Sequence, residues 1–206
     1  MDELSKEYVI SFFDKNLQLH GDRPEAVRWS STGQALHYRG MLDIGNMEGK
    51  KVLDFGCGKG DFHQFLKDAG IRAEYSGFDI NEKLISLARK KFPGVDFRVF
   101  DAGKDALRED FDYIILCGVF NLNIQGLDAT IRDTLVKLFP HCRIALAFNA
   151  LSAHNPQKDF ELHYTSPEEL FSFAVQNLSR WVSLRHDRMA YDFTLFAYRD
   201  RNSFKE

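Results

Sequence analysis

Lys51-Val52-Leu53-Asp54-Phe55-Gly56-Cys57-Gly58-Lys59-Gly60-Asp61-Phe62 holds a short apolar run, three glycines at alternate positions and the first residues of a helical pattern. The run Lys51–Phe55 reads as a buried strand, and Gly56–Gly60 breaks it. Glycines at such a turn let the backbone bend tightly and let a ligand lie directly against the main chain. A dinucleotide loop requires GxGxxG, but Asp61 stands where the last Gly or Ala belongs. No GK[ST] ending follows, which excludes the phosphate-cradling P-loop. With Asp54 placed before it, the loop prefers a cationic ligand, which the carboxylate meets through water or backbone amides.

Downstream, the pattern alternates. Phe62, Phe65, Leu66 and Ala69 follow helical spacing and Gly70 supplies a stop. Tyr75–Ile80 reads as a second strand. Asn81 then caps a helix with Leu84, Ile85, Ala88 and Phe92 on one face, ended by Pro93-Gly94. Asp96–Phe100 and the apolar Tyr113–Cys117 are a third and a fourth strand, Ile131 to Phe139 marks a helix, and Arg143–Phe148 is a fifth strand. Ser166-Pro167-Glu168-Glu169 is a capping box that opens a helix to about Leu178. Trp181–Leu184 and Phe193–Tyr198 are joined by a short polar turn and so pair as an antiparallel hairpin. The sum is an α/β chain with a mostly parallel sheet covered by helices on both faces.

Upstream, residues 1–48 differ. Leu4, Tyr8 and Phe12 suggest one helix and Leu36 to Ile44 another, with a loop holding Gly21, Pro24 and Trp29 between them. This segment reads as a helical extension over the ligand-binding edge of a domain spanning residues 49–206. A formal net charge of −3 offers no basic field for a polyanion, so nucleic-acid binding is not expected. Nineteen phenylalanines within a 44% apolar composition supply an ample core. Three cysteines without CxxC spacing argue against both a disulfide scaffold and a zinc site, and a reducing cytoplasm is expected. The polar N-terminus lacks the features of a signal peptide, and no apolar run is long enough to span a bilayer. The seven histidines show no HxxxH-type spacing, so no metal is expected.

Two further acids fall in register with the glycine loop. Asp79, ending the second strand, is an acceptor-only group suited to both hydroxyls of a ribose. Asp101, ending the third, can accept an exocyclic adenine amine, with the backbone N–H of Ala102 donating to the ring. Asp54, Asp79 and Asp101 thus line the carboxyl ends of successive parallel strands, where open α/β sheets bind ligands.

The runs VLDFGCGKGDF, FDIN, FRVFDA and FDYIILCGVFN resemble the class I S-adenosylmethionine-dependent methyltransferases, from about Lys50 to Tyr198. The resemblance implies a Rossmann-like, seven-stranded, mostly parallel sheet with a C-terminal antiparallel hairpin, and S-adenosylmethionine as cofactor. It implies that Gly56, Cys57, Gly58 and Gly60 wrap the methionine part. Asp79 with Ile80 would hold the ribose and Asp101 with Ala102 the adenine, while Cys117 and Gly118 flank from the fourth strand. HGDRPEAVRWSS, CGVFN, AFNALS and LRHD with DFTLFAYR are further similar to a bacterial group of small methyltransferases without an assigned substrate.

Methyl transfer from a sulfonium is an in-line displacement that needs alignment, water exclusion and, for a hydroxyl acceptor, a proton acceptor. Asn121 and Asn149 follow the fourth and fifth strands and can orient a polar acceptor. His154, His163 and His37 are candidate bases, with Tyr164 beside His163 in the same region. Arg39 can pair with the cofactor carboxylate and Trp29 can cover the site. Cys57 reads as packing and Arg185-His186-Asp187 as a structural hairpin end. The function expected is methyl transfer to oxygen or nitrogen of a small molecule. The alternatives are a non-catalytic cofactor-binding or scaffolding module, and an aminopropyltransferase, which lacks its polyamine-binding acids here.

Overall fold

The computed structural model describes residues 1–204. Two helices, α1 (Glu3–His20) and α2 (Ser31–Met41), precede β1 (Lys51–Phe55), α3 (Asp61–Asp68), β2 (Glu74–Asp79), α4 (Glu82–Lys91) and β3 (Asp96–Val99). There follow β4 (Phe111–Leu116), α5 (Leu127–Leu138), β5 (Cys142–Leu151), α6 (Pro167–Asn177), β6 (Trp181–Arg185) and β7 (Asp192–Tyr198). Short 3-10 turns at Pro24–Val27 and Leu42–Ile44 complete the N-terminal part. The local signals act as their chemistry dictates. Asn81 Oδ1 accepts the Leu84 N–H at 2.9 Å, and Ser166 Oγ accepts the Glu169 N–H at 3.2 Å.

The seven strands run in the order β3-β2-β1-β4-β5-β7-β6. All neighbours are parallel except β5–β7 and β6–β7, so the C-terminal hairpin is antiparallel as expected. The chain winds outward from β1 through β2 and β3 on one side and through β4 and β5 on the other. That reversal opens a crevice at the carboxyl ends of β1 and β4.

Strand alternation builds two cores. Leu53, Phe55, Ile114, Leu116, Leu146 and Phe148 face α5 and α6, while Val52, Tyr113, Ile115, Ala145 and Ala147 face the side of α2, α3 and α4. Met41, Ile44 and Met47 are essentially inaccessible and pack in the second core.

The helix expected from Leu4, Tyr8 and Phe12 forms as α1. Leu4 and Tyr8 lie exposed on it, whereas Lys6 is buried and its ammonium reaches Asp101 across the fold. One expectation changes. The fifth strand extends past Phe148 to Leu151, because antiparallel β7 continues the ladder through Asn149–Thr194, Ala150–Phe193 and Leu151–Asp192. Asn149 therefore lies within the sheet and not in the loop after it.

Candidate functional site

The carboxyl ends of four parallel strands line one cavity. β1 contributes Phe55 to Lys59, and β2 is followed there by Asp79 to Asn81. Phe100 to Gly103 follow β3, and Cys117 to Phe120 follow β4. Lys6, Val9 and Phe13 of α1, Val27 and Trp29 of the connecting strap, and Tyr38 of α2 form the remaining wall, with Leu122, Ile124 and Leu127 leading onto α5.

The glycine loop is fixed from beneath. Gly56 and Cys57 both donate their N–H groups to the Phe78 carbonyl, at 2.7 and 3.1 Å, which ties the loop to β2. Asp79 orders it from the side. Its Oδ2 accepts the Gly58 N–H at 2.8 Å and its Oδ1 accepts the Asn81 N–H at 2.8 Å. The carboxylate itself lines the cavity. Burial pushes the Asp79 carboxyl above the usual carboxylate range, against the backbone N–H groups that favour its charge.

Asp101 is held differently. Lys6 donates to its Oδ2 at 2.6 Å and the Gly103 N–H to its Oδ1 at 2.7 Å. Burial works to raise its pKa, but Lys6 and that N–H outweigh it and hold the carboxyl below its ordinary value. Asp54 lies beneath the loop and outside the cavity wall. Tyr75 donates to Asp54 Oδ2 at 2.6 Å, and burial pushes the Asp54 carboxyl up to about 7.

The cysteines at the site are thiols. Burial pushes Cys57 and Cys117 well above the ordinary thiol range, which leaves neither as a thiolate nucleophile. Tyr38 is the residue that sequence reasoning missed. It is buried, lines the cavity and packs its ring, tilted, against Phe62 and Phe65. Burial drives its phenol well above the ordinary range, so it stays protonated. Gln34, Tyr38 and Met41 share a buried helix stripe, and that spacing was the signal available.

Arg39, one residue on, faces solvent, because a single step turns a helix by about 100°. The structure thus places it away from the cavity. Lys59, almost fully buried, bonds Asp61 Oδ2 and the Asp22 carbonyl, which fastens the strap between α1 and α2 to the loop.

The candidate acceptor residues are also placed elsewhere. Asn149 Oδ1 accepts the Gly118 N–H at 2.7 Å, which shapes the turn after β4 from inside the sheet. The Asn121 carbonyl accepts the His163 N–H, and neither residue lines the cavity. His154 is largely exposed and bonds Glu168 at the start of α6. The Tyr164 hydroxyl accepts the Asp159 N–H at 2.9 Å. His37 has both ring nitrogens engaged, by the Gly33 carbonyl and by Asp192, so it has no free nitrogen to act as a base. Among the described residues no group of three or more His, Cys, Asp or Glu is arranged to hold a metal ion. No helix among them is long and apolar enough to cross a membrane.

Comparison with known proteins follows the same lines. The family model for a methyltransferase domain matches residues 46–166. A Mycobacterium tuberculosis protein provisionally named methyltransferase Rv1506c is 30% identical over 150 residues, covering 70% of this chain and 90% of that protein. A ubiquinone biosynthesis O-methyltransferase of Thiobacillus denitrificans is 38% identical over 86 residues, which span 40% of this chain and 32% of that protein. The crystal structure of magnesium protoporphyrin IX methyltransferase from Synechocystis, with bound S-adenosylhomocysteine, has a TM-score of 0.68 at 18% identity. It covers 96% of this chain and 99% of its own, and at that identity the likeness concerns the fold. On the family match, the chain belongs to the class I S-adenosylmethionine-dependent methyltransferases.

Proposed function

We propose that the enzyme transfers a methyl group from S-adenosylmethionine to an oxygen or nitrogen of a small molecule. The observation that carries this reading is the single cavity that joins the glycine loop, Asp79, Asp101–Ala102 and Cys117–Gly118 at the point where strand order reverses. The donor set fits the cofactor. Asp79, an acceptor-only carboxylate at the cavity wall, is the group for the ribose hydroxyls. Ile80 and Val119 supply apolar surface for an adenine, whose amine Asp101 accepts. Gly56 to Gly58 present bare backbone to the methionine part, and Gly60 turns the loop into α3.

The bound cofactor supplies an electrophilic methyl group on a sulfonium. The chain's own part is alignment and water exclusion. Trp29, Tyr38, Val119 and Phe120 wall the site with largely apolar surface. In this reading residues 1–48 are the cover of the site and residues 49–206 the cofactor-binding domain, supported by Lys6, Val9, Phe13, Val27, Trp29 and Tyr38 lining the cavity. The ubiquinone and protoporphyrin enzymes are named for small-molecule acceptors, which supports the same class here.

The test has two parts. Calorimetry with S-adenosylhomocysteine should show binding to the native chain and a loss of about 10- to 100-fold in Asp79→Ala, the worth of one or two charge-assisted hydrogen bonds. Incubation with methyl-labelled cofactor and a metabolite extract should place label on a low-molecular-weight product at oxygen or nitrogen. Unchanged affinity in Asp79→Ala, or label found only in protein or nucleic acid, counts against the reading.

A further inference from the structure

His37 is 6% exposed, and the groups facing its two ring nitrogens are both oxygens. Nδ1 lies 2.7 Å from the Gly33 carbonyl, which can only accept, so Nδ1 carries a hydrogen. Nε2 lies 2.5 Å from Asp192 Oδ2, a contact that requires a proton between the two atoms. Asp192 Oδ1 is buried with no hydrogen-bond partner among the described residues, so the hydrogen bonding of this carboxylate rests on His37.

This pair joins α2 to the first residue of β7, 155 positions apart in the chain. It also abuts the cavity wall. The Trp29 ring packs on His37 with centroids 4.3 Å apart in a tilted arrangement. On its other side the indole occupies the space over Gly118, where a Cβ would come within 2.5 Å of Trp29 Cζ2. Trp29 lines the cavity, whereas His37 and Asp192 do not, so the indole stands between them. The Asp192 charge still reaches Cys117 on the cavity side, where it adds to burial in raising that thiol.

We propose that His37 and Asp192 form a positioning pair that clamps α2 onto β7 and holds the Trp29 indole against Gly118, closing the cavity toward the β5–β7 edge. The clamp itself follows from the contacts above. Its consequence rests on the proposed cofactor placement. Cys117–Gly118 is then the end where the acceptor meets the methionine part, so the clamped indole governs acceptor entry and leaves cofactor affinity alone.

The test uses the full chain with Trp181→Phe, which leaves Trp29 as the only tryptophan. In Asp192→Ala, which removes the carboxylate without stranding a buried charge, acrylamide access to Trp29 should rise several-fold and its emission should move to the red. His37→Ala should do the same. Asp192→Asn keeps a hydrogen bond to the ring and should restore shielding close to that of the parent. A folded Asp192→Ala with unchanged Trp29 shielding overturns the proposal, as does an Asp192→Asn no better shielded than the alanine variant. Should an alanine variant fail to fold, nitrogen-15 histidine spectra of the native chain decide. A slowly exchanging, downfield imidazole proton on His37 is expected, and its absence overturns the pair. S-adenosylhomocysteine calorimetry on the same proteins separates the two readings. Equal affinity in parent and Asp192→Ala is expected, and a marked loss in the variant alone overturns the acceptor-side assignment. Failure of the parent to bind sinks the cofactor placement, while the shielding comparison still decides the clamp.

Discussion

Asp54 sits 3% exposed beneath the glycine loop, and its ionisation should set part of the pH dependence of stability. Burial pushes its carboxyl from the ordinary 3.8 to about 7 in the folded chain, partly offset by the Tyr75 hydroxyl and reinforced by the Asp79 and Asp61 charges. The folded state thus binds the proton more tightly than the unfolded state. This group's contribution is fully present below about pH 4, declines as pH rises toward 7, and levels off above it. A shift of about three units corresponds to about 4 kcal/mol in all, of which about 2.5 kcal/mol falls between pH 5 and pH 8. Asp54→Asn removes that titration. The amide can still accept from Tyr75, while its buried N–H groups add a penalty of about 1–3 kcal/mol that does not vary with pH. The slope therefore carries the information. Urea unfolding at pH 5 and pH 8 should show the native chain losing about 2–3 kcal/mol more than Asp54→Asn, or roughly 5–10 °C in Tm for a chain of this size. Titrating groups that do not interact with Asp54 cancel in the comparison. Parallel pH profiles for the two proteins would refute the argument that Asp54 is ionised at a cost.

Gly60 adopts φ +82°, and a Cβ there would lie 2.9 Å from Phe97 Cζ and 3.0 Å from Phe92 Cε2. Gly60→Ala should cost about 2–4 kcal/mol by denaturant titration, from left-handed strain plus overpacking against two rings. Asn149→Ala leaves the Gly118 N–H without its 2.7 Å partner. It should lower stability by about 1–3 kcal/mol and also loosen the turn below Trp29, visible as greater acrylamide access to that indole. Stability equal to the native chain would return Asn149 to consideration as a free acceptor-site amide.

The glycine loop, the alternation of strands with helices and the final hairpin were legible because each rests on local chemistry. Glycine turns, Asn81 and Ser166 caps, and apolar runs of strand length act within a few residues of themselves. The acids at strand ends were legible for a related reason, since parallel strands place their carboxyl ends at one edge. Asp79 and Asp101, predicted to be neighbours on that basis, do line one cavity. Asn149 was misplaced because strand length depends on the partner, and β7 extends β5 by three residues from more than forty positions away. His154 and Tyr164 were plausible by position alone, but local hydrogen bonds to Glu168 and Asp159 hold them in the loop region.

Sequence alone thus determined the fold class, the cofactor class through resemblance, and the strand ends that build the groove. Tertiary structure alone decided what closes it. Lys6 meets Asp101 across 95 residues and His37 meets Asp192 across 155. Tyr38, and not Arg39, turns inward because α2 packs on the sheet with one face. These pairings depend on how separate elements dock, and no local propensity encodes the partner of a side chain that folding brings from a distant part of the chain.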